Sequence, residues 1–165
     1  MNPARPTLPM TGGCSCGAIR YEITSFPLLL YACHCTDCQP ASGSAFALNM
    51  PVATNGFRIV TGEPKGWRHV SPSGAEVTSW FCGDCGARIY GSRDSRPESI
   101  NVRAGTLDDT SWLVPAGHMF MKSAQGWVKS NLLAAAADCH EMSPPDFRPL
   151  AEKWRAMWPE FFPSK

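Results

Sequence analysis

GGCSCG (residues 12–17) and FCGDCG (residues 81–86) each carry two closely spaced cysteines followed by a glycine. A C-x-C and a C-x-x-C pair each place two sulfurs near one point of a tight turn. The glycine lets the backbone turn so that its N–H groups can point at the thiolates. Because four thiolates complete a tetrahedral zinc site, we predict a structural zinc bound by Cys14, Cys16, Cys82 and Cys85. A redox role for the C-x-x-C pair is the alternative, which is disfavoured because no βαβ pattern surrounds it.

The segments around these cysteines are short, apolar or alternating in polarity, and separated by Gly, Pro, Ser or Asn. They predict strands at residues 18–24, 28–32, 44–50, 57–60, 66–70, 76–82, 87–91 and 99–105. Residues 131–138 could form a turn or two of helix. Residues 147–158 are the best helix candidate, with Pro149 suited to a first turn and Pro159 to a stop. The sequence therefore predicts a mostly β fold with a short C-terminal helix.

The length of 165 residues suits a single domain with its own core. We predict a loose tail at residues 1–9, a zinc-binding domain at residues 10–128 and an extension at residues 129–165 that packs on the domain. A net charge of +1 gives no sign of nucleic-acid binding, and no apolar run is long enough to cross a membrane. The start MNPARPTLPM lacks the apolar core of a secretory signal, so we expect a cytoplasmic protein with reduced cysteines. The oligomeric state stays open.

A third stretch, YACHCTDCQP (residues 31–40), holds three cysteines within six positions. Cys33, Cys35 and Cys38 supply three sulfur ligands from one loop, which leaves one position of a tetrahedral zinc free. Structural zinc sites are closed, whereas catalytic sites keep a place for water or substrate. An open site is one interpretation. The other is a closed site whose fourth ligand comes from elsewhere, the candidates being His34, His118, Cys139 and His140.

The three thiolates of this second cluster favour a particular kind of substrate. A zinc ion with three thiolate ligands is a weak Lewis acid, because sulfur donates electrons strongly. Such a centre suits a soft fourth ligand, of which a substrate thiol is the obvious example. A coordinated thiol loses its proton and becomes a stabilised thiolate. The cluster therefore predicts a reaction in which a bond to sulfur is made or broken.

The chain resembles the glutathione-dependent formaldehyde-activating enzyme family, which also contains centromere protein V. The resemblance covers residues 12–128 and rests on GGCSCGAIRYE (12–22), CHCTDCQPASGSAF (33–46), FCGDCGARIY (81–90), NVRAGTLDD (101–109) and PAGHMF (115–120). It implies an Mss4-like (β-tent) fold with two zinc ions per chain. The structural zinc would be bound by Cys14, Cys16, Cys82 and Cys85, and a more labile catalytic zinc by Cys33, Cys35 and Cys38.

The resemblance also implies an activity. The family's founding reaction is the condensation of formaldehyde with glutathione to S-hydroxymethylglutathione, a carbon–sulfur lyase reaction. The implied partners are thus a small thiol and a small aldehyde. Family members often have a basic residue in a C-Q-R-x-S-G run, where this chain has Pro40. Pro40 removes a partner for a substrate carboxylate, which argues against glutathione itself but not against zinc–thiol chemistry. The alternative function is a non-catalytic, zinc-stabilised binding module, which a protein ligand completing the second site would favour.

Other candidate site residues lie close to the second cluster or in the matching stretches. His118 is expected to transfer a proton or hydrogen-bond the substrate, with a buried structural histidine as the alternative. His34 could donate a hydrogen bond to the site or be a solvated loop residue, and His69 is expected on a strand surface. Substrate contacts are predicted for Ser42, Gly43 and Ser44, with a plain loop-to-strand transition as the alternative. Two roles are considered for four arginines, binding of a charged thiol or simple exposure on the surface: Arg88, Arg93, Arg96 and Arg103.

Overall fold

A computed structural model of the chain describes residues 6–71, 73–134, 138–144 and 146–161. Within these residues it contains ten strands and three α-helices. The strands are β1 (Met10–Gly13), β2 (Arg20–Ile23), β3 (Tyr31–Cys33), β4 (Ala47–Ala53), β5 (Phe57–Thr61), β6 (Lys65–Val70), β7 (Glu76–Phe81), β8 (Arg88–Ser92), β9 (Ser99–Arg103) and β10 (His118–Met119). The helices are α1 (Cys38–Ser42), α2 (Gly126–Ala134) and α3 (Arg148–Met157).

The mostly β prediction is confirmed, and each of the eight predicted strand segments overlaps one observed strand, β2 to β9. The sequence missed β1, β10 and α1. The helix predicted at 147–158 is observed as α3, and its proline lies in the first turn. The helical turn predicted at 131–138 falls partly on α2, and residues 135–137 lie outside the described residues, as do residues 1–5 of the predicted tail.

The strands form two sheets. The smaller sheet has the order β1-β2-β5, and the larger has the order β10-β3-β4-β9-β8-β7-β6. All pairings are antiparallel except that of β10 with β3. The order interleaves strands from both halves of the chain, so residues distant in sequence meet on one face of the larger sheet.

The larger sheet has one face in the core and one face on a cavity. On β4, Met50 and Val52 are fully buried in the core, as is Val102 on β9. Side chains alternate between the two faces of a strand, so Asn49 and Arg103, next to these residues, point to the other face. Asn49 and Arg103 are directly opposite each other across β4 and β9. This face carries the candidate site.

Helix α3 is fixed to the domain by its aromatic side chains. Trp154 is fully buried, and its Nε1–H donates to the backbone oxygen of Pro27 at 3.2 Å. Leu150 packs where Gly117 precedes β10, and a Cβ at that glycine would lie 2.8 Å from Leu150 Cδ2. Phe161, after the helix, stacks on a core phenylalanine with ring centroids 4.1 Å apart. None of the helices in the described part of the chain is long and apolar enough to cross a membrane.

Candidate metal and substrate site

The first cysteine cluster joins the two sheets. Cys14 and Cys16 lie between β1 and β2 of the smaller sheet, and Cys82 and Cys85 lie between β7 and β8 of the larger one. The sulfurs of Cys14 and Cys16 are 3.4 Å apart, and those of Cys16 and Cys82 are 3.7 Å apart. Tetrahedral zinc–thiolate bonds place sulfurs about 3.8 Å apart. All four sulfurs lie within 4.8 Å of one another, so this cluster could hold a metal ion.

The backbone around the first cluster turns as the glycines predict. Gly17 and Gly86 have φ angles of 81° and 74°, in the left-handed region that glycine adopts without strain. In the first turn the backbone N–H of Ile19 donates to the sulfur of Cys14 at 3.2 Å. Burial opposes ionisation of this thiol, but the Ile19 N–H and the adjacent thiols outweigh it and lower the pKa of Cys14 to about 6. The turn therefore favours the thiolate that a metal needs.

The second cluster is formed where β3 ends and α1 begins. Cys33 is the last residue of β3 and Cys38 the first of α1, and Cys35 lies between them. All three side chains are buried, and their sulfurs lie within 4.8 Å of one another. Among the described residues, no fourth histidine, cysteine or carboxylate joins this group, including the candidates His34, His118, Cys139 and His140. The cluster thus offers three sulfur ligands.

The polar side chains of the sheet face surround the Cys38 sulfur. Arg103 Nη1 and Asn49 Nδ2 each lie 3.8 Å from it, and Arg103 also donates to Asn49 Oδ1. Hydrogen bonds from Cys33 and Cys35, together with the charge of Arg103, outweigh burial and lower the pKa of Cys38 to about 2. The same neighbours, Cys35 and Cys38, raise the pKa of Cys33. Arg103 therefore favours a thiolate in this cluster.

A cavity of about 580 Å³ opens in front of this cluster. It is bordered by the cavity face of the larger sheet, by all three cysteines and by Asp37. Its lining includes four arginines, Arg88, Arg93, Arg96 and Arg103. Arg88 lies at a bulge in β8. Trp80 and Phe81 of β7 pair with Tyr90 and Arg88, which leaves Ile89 as an extra residue, and a bulge of this kind changes the direction of the neighbouring side chain. Positive charge therefore dominates the cavity walls.

The structure places the two histidines predicted to be catalytic on the other face of the sheet. His34 is fully buried, which excludes the solvated-loop alternative, and its Nε2 lies 3.0 Å from Nδ1 of His118. His118 pairs with the core residue Ala32, and neither histidine borders the cavity. Burial lowers the pKa of both imidazoles, which favours their neutral forms. The two histidines therefore lie away from this cavity, and the catalytic role predicted for them stays a prediction.

The histidine that does border the cavity is His69, which the sequence prediction placed on a strand surface. His69 does lie on a strand, the edge strand β6, and its side chain is only 14% exposed because it faces Asp37 in the cysteine-bearing turn. His69 Nε2 lies 3.8 Å from Asp37 Oδ2, and its ring stacks on Trp67 with centroids 4.1 Å apart. Asn49, the polar residue in the otherwise apolar run AFALNM (45–50), was the available sequence signal for this face. No comparable signal marked His69.

Ser42, Gly43 and Ser44 end helix α1. Ser42 Oγ donates to the backbone oxygens of Cys38 at 2.8 Å and Phe46 at 2.9 Å, and Gly43 has a φ of 58° that terminates the helix. Ser44 is exposed. None of the three borders the cavity in front of the cysteines, but Ser42 borders a second cavity of about 420 Å³ that shares Arg88 and Arg103 with the first. These residues end the cluster-bearing helix, and their substrate contact stays a prediction.

The fold and the two clusters define a mostly β protein with two sites that could hold metal ions. A sequence model described as "glutathione-dependent formaldehyde-activating enzyme" matches residues 9–123. The chain belongs to this family, which confirms the resemblance seen in the sequence. The family's name indicates a formaldehyde-activating function related to glutathione. A solved structure of a Rhodobacter sphaeroides protein is similar at 24% identity, with a TM-score of 0.49, over 61% of this chain and 90% of that one.

Proposed function

We propose that the protein is a zinc-dependent carbon–sulfur lyase that adds glutathione or another small thiol to a small aldehyde such as formaldehyde, or catalyses the reverse. The observation that carries this proposal is the second cluster: three buried sulfurs with no fourth ligand among the described residues, at a cavity lined by four arginines. A closed metal site would suit a structural role, whereas three sulfurs facing a cavity suit a substrate ligand.

The donor set of the second cluster fits zinc, because three thiolate sulfurs are the soft ligands that this ion accepts. Cys33, Cys35 and Cys38 would hold it, and Cys14, Cys16, Cys82 and Cys85 would hold the structural ion. A bound zinc ion would supply a coordination position at which a substrate thiol is ionised and held. Arg103 and Asn49 keep the Cys38 sulfur oriented and ionised beside that position.

The arginines of the cavity favour a thiol that carries carboxylates, as glutathione does. Arg93 and Arg96 lie in the β8–β9 connection and border the cavity, away from the contact between Arg103 and Cys38. Arginine binds carboxylates in a bidentate fashion. Pro40, at the position of the family's basic residue, lies on α1 and does not border the cavity. Glutathione recognition can therefore use the cavity arginines Arg93 and Arg96, and Pro40 does not argue against glutathione as the substrate.

The reaction requires the formation of one carbon–sulfur bond and the transfer of one proton. The thiolate sulfur attacks the carbonyl carbon, a C–S bond forms, and the π electron pair of the carbonyl moves to its oxygen. That oxygen then takes up a proton and becomes the hydroxyl of the hydroxymethyl adduct. We assign this proton transfer to His69, because it borders the cavity and lies beside Asp37. The reverse reaction removes the same proton and releases aldehyde and thiol.

Exchange spectroscopy tests this function directly, because the uncatalysed addition is itself measurable. Zinc-loaded protein is added to an equilibrium mixture of glutathione and carbon-13 formaldehyde, and the exchange rate between free aldehyde and adduct is measured by NMR. We expect faster exchange with the wild-type protein and the uncatalysed rate with Cys38→Ser. An unchanged exchange rate with the wild-type protein would rule out the proposed reaction for this pair of substrates.

A further inference from the structure

The cavity in front of the second cluster has one wall that the family match does not cover. The match ends at residue 123, yet Ser143, Pro144, Phe147 and Ala151 border the cavity together with the three cysteines. These residues belong to the C-terminal extension. The extension therefore contributes to the candidate substrate site as well as to the core.

Backbone hydrogen bonds hold the start of this wall at the edge of the larger sheet. The N–H of His118 donates to the oxygen of Asp138 at 2.7 Å, and the N–H of His140 donates back to the oxygen of His118 at 2.8 Å. Met121 continues the pattern with a bond to the oxygen of His140 at 3.0 Å. The bridge between His118 and Cys139 is parallel. Residues 138–140 thus extend the sheet beyond β10 and fix the direction in which the chain leaves it.

The other end of the wall is fixed by α3. Leu150, Trp154 and Trp158 are buried in the main core, which leaves Phe147 and Ala151 of the same segment at the cavity. Phe147 is the residue that caps the helix N-terminus, and its backbone oxygen accepts the N–H of Ala151 at 2.9 Å. A side chain at the start of an anchored helix has a defined position. Phe147 is therefore a fixed part of the wall.

Phe147 meets a residue that belongs to the cluster-bearing strand. Its ring packs edge-on against Tyr31, with centroids 6.1 Å apart and an interplanar angle of 61°. Tyr31 lies two residues before Cys33 on the same face of β3, and its hydroxyl accepts a hydrogen bond from Asn101 at 3.0 Å. The two rings form an apolar surface between the cysteine cluster and the C-terminal extension, while the cavity arginines lie on β8, on β9 and in the connection between them.

We propose that Phe147, supported by Tyr31, is a specificity-determining residue that packs against the carbon skeleton of a glutathione-sized thiol. The identity of the thiol rests on the proposed function. The Tyr31 ring lies between Phe147 and the cluster, and Tyr31 and Cys33 are about 7 Å apart along β3. We therefore expect a glutathione-sized thiol bound at the cluster to reach the wall, and 2-mercaptoethanol to be too short to reach it. Phe147 therefore distinguishes long thiols from short ones and leaves the chemistry at the sulfur unchanged.

Binding of S-methylglutathione, which cannot react, tests the wall without any need for turnover. Calorimetry on the zinc-loaded protein should show that Phe147→Ala raises the Kd about tenfold, as expected from the loss of a buried aromatic contact. Phe147→Leu should restore most of the affinity. Phe161→Ala is the matched control, because it removes an aromatic ring of the same extension that stacks in the core. We expect the control to lower thermal stability and leave the Kd unchanged.

Steady-state kinetics give a second readout. Phe147→Ala should lower kcat/KM for glutathione about tenfold and change it less than about twofold for 2-mercaptoethanol. Wild-type affinity for S-methylglutathione in Phe147→Ala, an equal loss with both thiols, or no binding by the wild-type protein would overturn the proposal. If the wild-type protein binds the analogue but accelerates neither thiol addition, the proposed function fails while the binding comparison still decides the role of Phe147.

Discussion

Arg103 Nη1 lies 3.8 Å from the sulfur of Cys38, and the same guanidinium donates to Asn49 Oδ1. Arg103 and Asn49 are paired across β9 and β4, so the register of the sheet holds both groups at the sulfur. The cysteine-bearing turn at residues 33–38 thus depends on strands that come from two distant parts of the chain. The ionisation of Cys38 therefore depends on the pairing of β4 with β9 in the larger sheet.

Replacing Arg103 by methionine should make the second metal site more sensitive to acid. Arg103 helps to lower the pKa of Cys38 to about 2, so its removal raises that pKa. A metal ligand must be the thiolate, and a depressed pKa keeps the thiolate as the pH falls. The variant should therefore release its labile zinc at a pH about one unit higher than the wild-type protein does. A chromophoric chelator measures the release across a pH series.

Arg96→Met is the control for this titration, because Arg96 borders the same cavity from the β8–β9 connection, whereas the contact with Cys38 is made by Arg103. It should keep the wild-type release profile. Coincident release profiles for wild type and Arg103→Met would show that the guanidinium does not stabilise the thiolate.

The two cysteine clusters should differ in what their loss does. Cys85→Ser breaks the cluster that joins the two sheets, and structural zinc binding is folding energy. We expect a loss of about 5 kcal/mol, or roughly 15 °C in Tm. Cys38→Ser removes a ligand at the cavity, so it should lose the other zinc and the activity and keep the fold. Zinc analysis and thermal unfolding measure both effects.

Equal destabilisation by Cys85→Ser and Cys38→Ser would contradict this division of roles. Cys139→Ser serves as the control, since Cys139 belongs to neither cluster. It should retain both zinc ions and the wild-type Tm.

The histidines give opposite expectations for two similar substitutions. His69→Gln should lower kcat about a hundredfold, as expected for loss of a proton-transfer group, and leave zinc content unchanged. His118→Gln disturbs the contact with the buried His34 and should cost about 1–3 kcal/mol of stability, with little effect on kcat. Added imidazole should partly restore activity to a His69→Gly variant. If His118→Gln lowered kcat strongly and His69→Gln did not, the proton-transfer group would be His118 and not His69.

The sequence predicted the clusters and the strands for a physical reason. Metal ligands from short turns need close spacing and permissive glycines, and both are local features that can be read directly. Strands β2 to β9 were likewise visible as short alternating or apolar runs. The two-residue strand β10 was missed because its pairing with β3 depends on contacts between distant segments. Helix α1 was missed because it begins within the second cysteine cluster, at Cys38, and has only five residues.

The cavity could not be predicted from local patterns. His69, Arg103 and Phe147 meet at it only because the strand order interleaves both halves of the chain and α3 is anchored by buried tryptophans. His118 is the opposite case, a residue that the sequence pattern placed at the site and the sheet register places elsewhere. Its stretch PAGHMF resembles the family, but the parallel pairing with Ala32 aligns it with the core face. Sequence spacing identified the two cysteine clusters, whereas sheet register decided which other side chains lie beside them.

The arginine lining should discriminate between thiols by charge. A double variant with Arg93→Met and Arg96→Met removes two cations from the cavity, so it should raise KM for glutathione about tenfold. Cysteamine has no carboxylate, and its KM should stay the same or fall. The glutathione KM of the wild-type protein should also rise with salt, because screening weakens ion pairing.

An Arg20→Met variant is the matched control, since Arg20 pairs with Asp108 and does not border the cavity. It should leave both KM values unchanged. A parallel rise in KM for glutathione and cysteamine in the double variant would mean that these arginines shape the cavity without recognising carboxylates.

The rate of exchange between free formaldehyde and its glutathione adduct, measured by NMR with zinc-loaded protein, decides whether the second cluster is a catalytic site. We expect wild-type protein to accelerate this exchange, whereas Cys38→Ser, folded and still holding the structural zinc, should not. Equal acceleration by the two proteins, or none by either, would contradict a thiol-binding catalytic site at Cys33, Cys35 and Cys38.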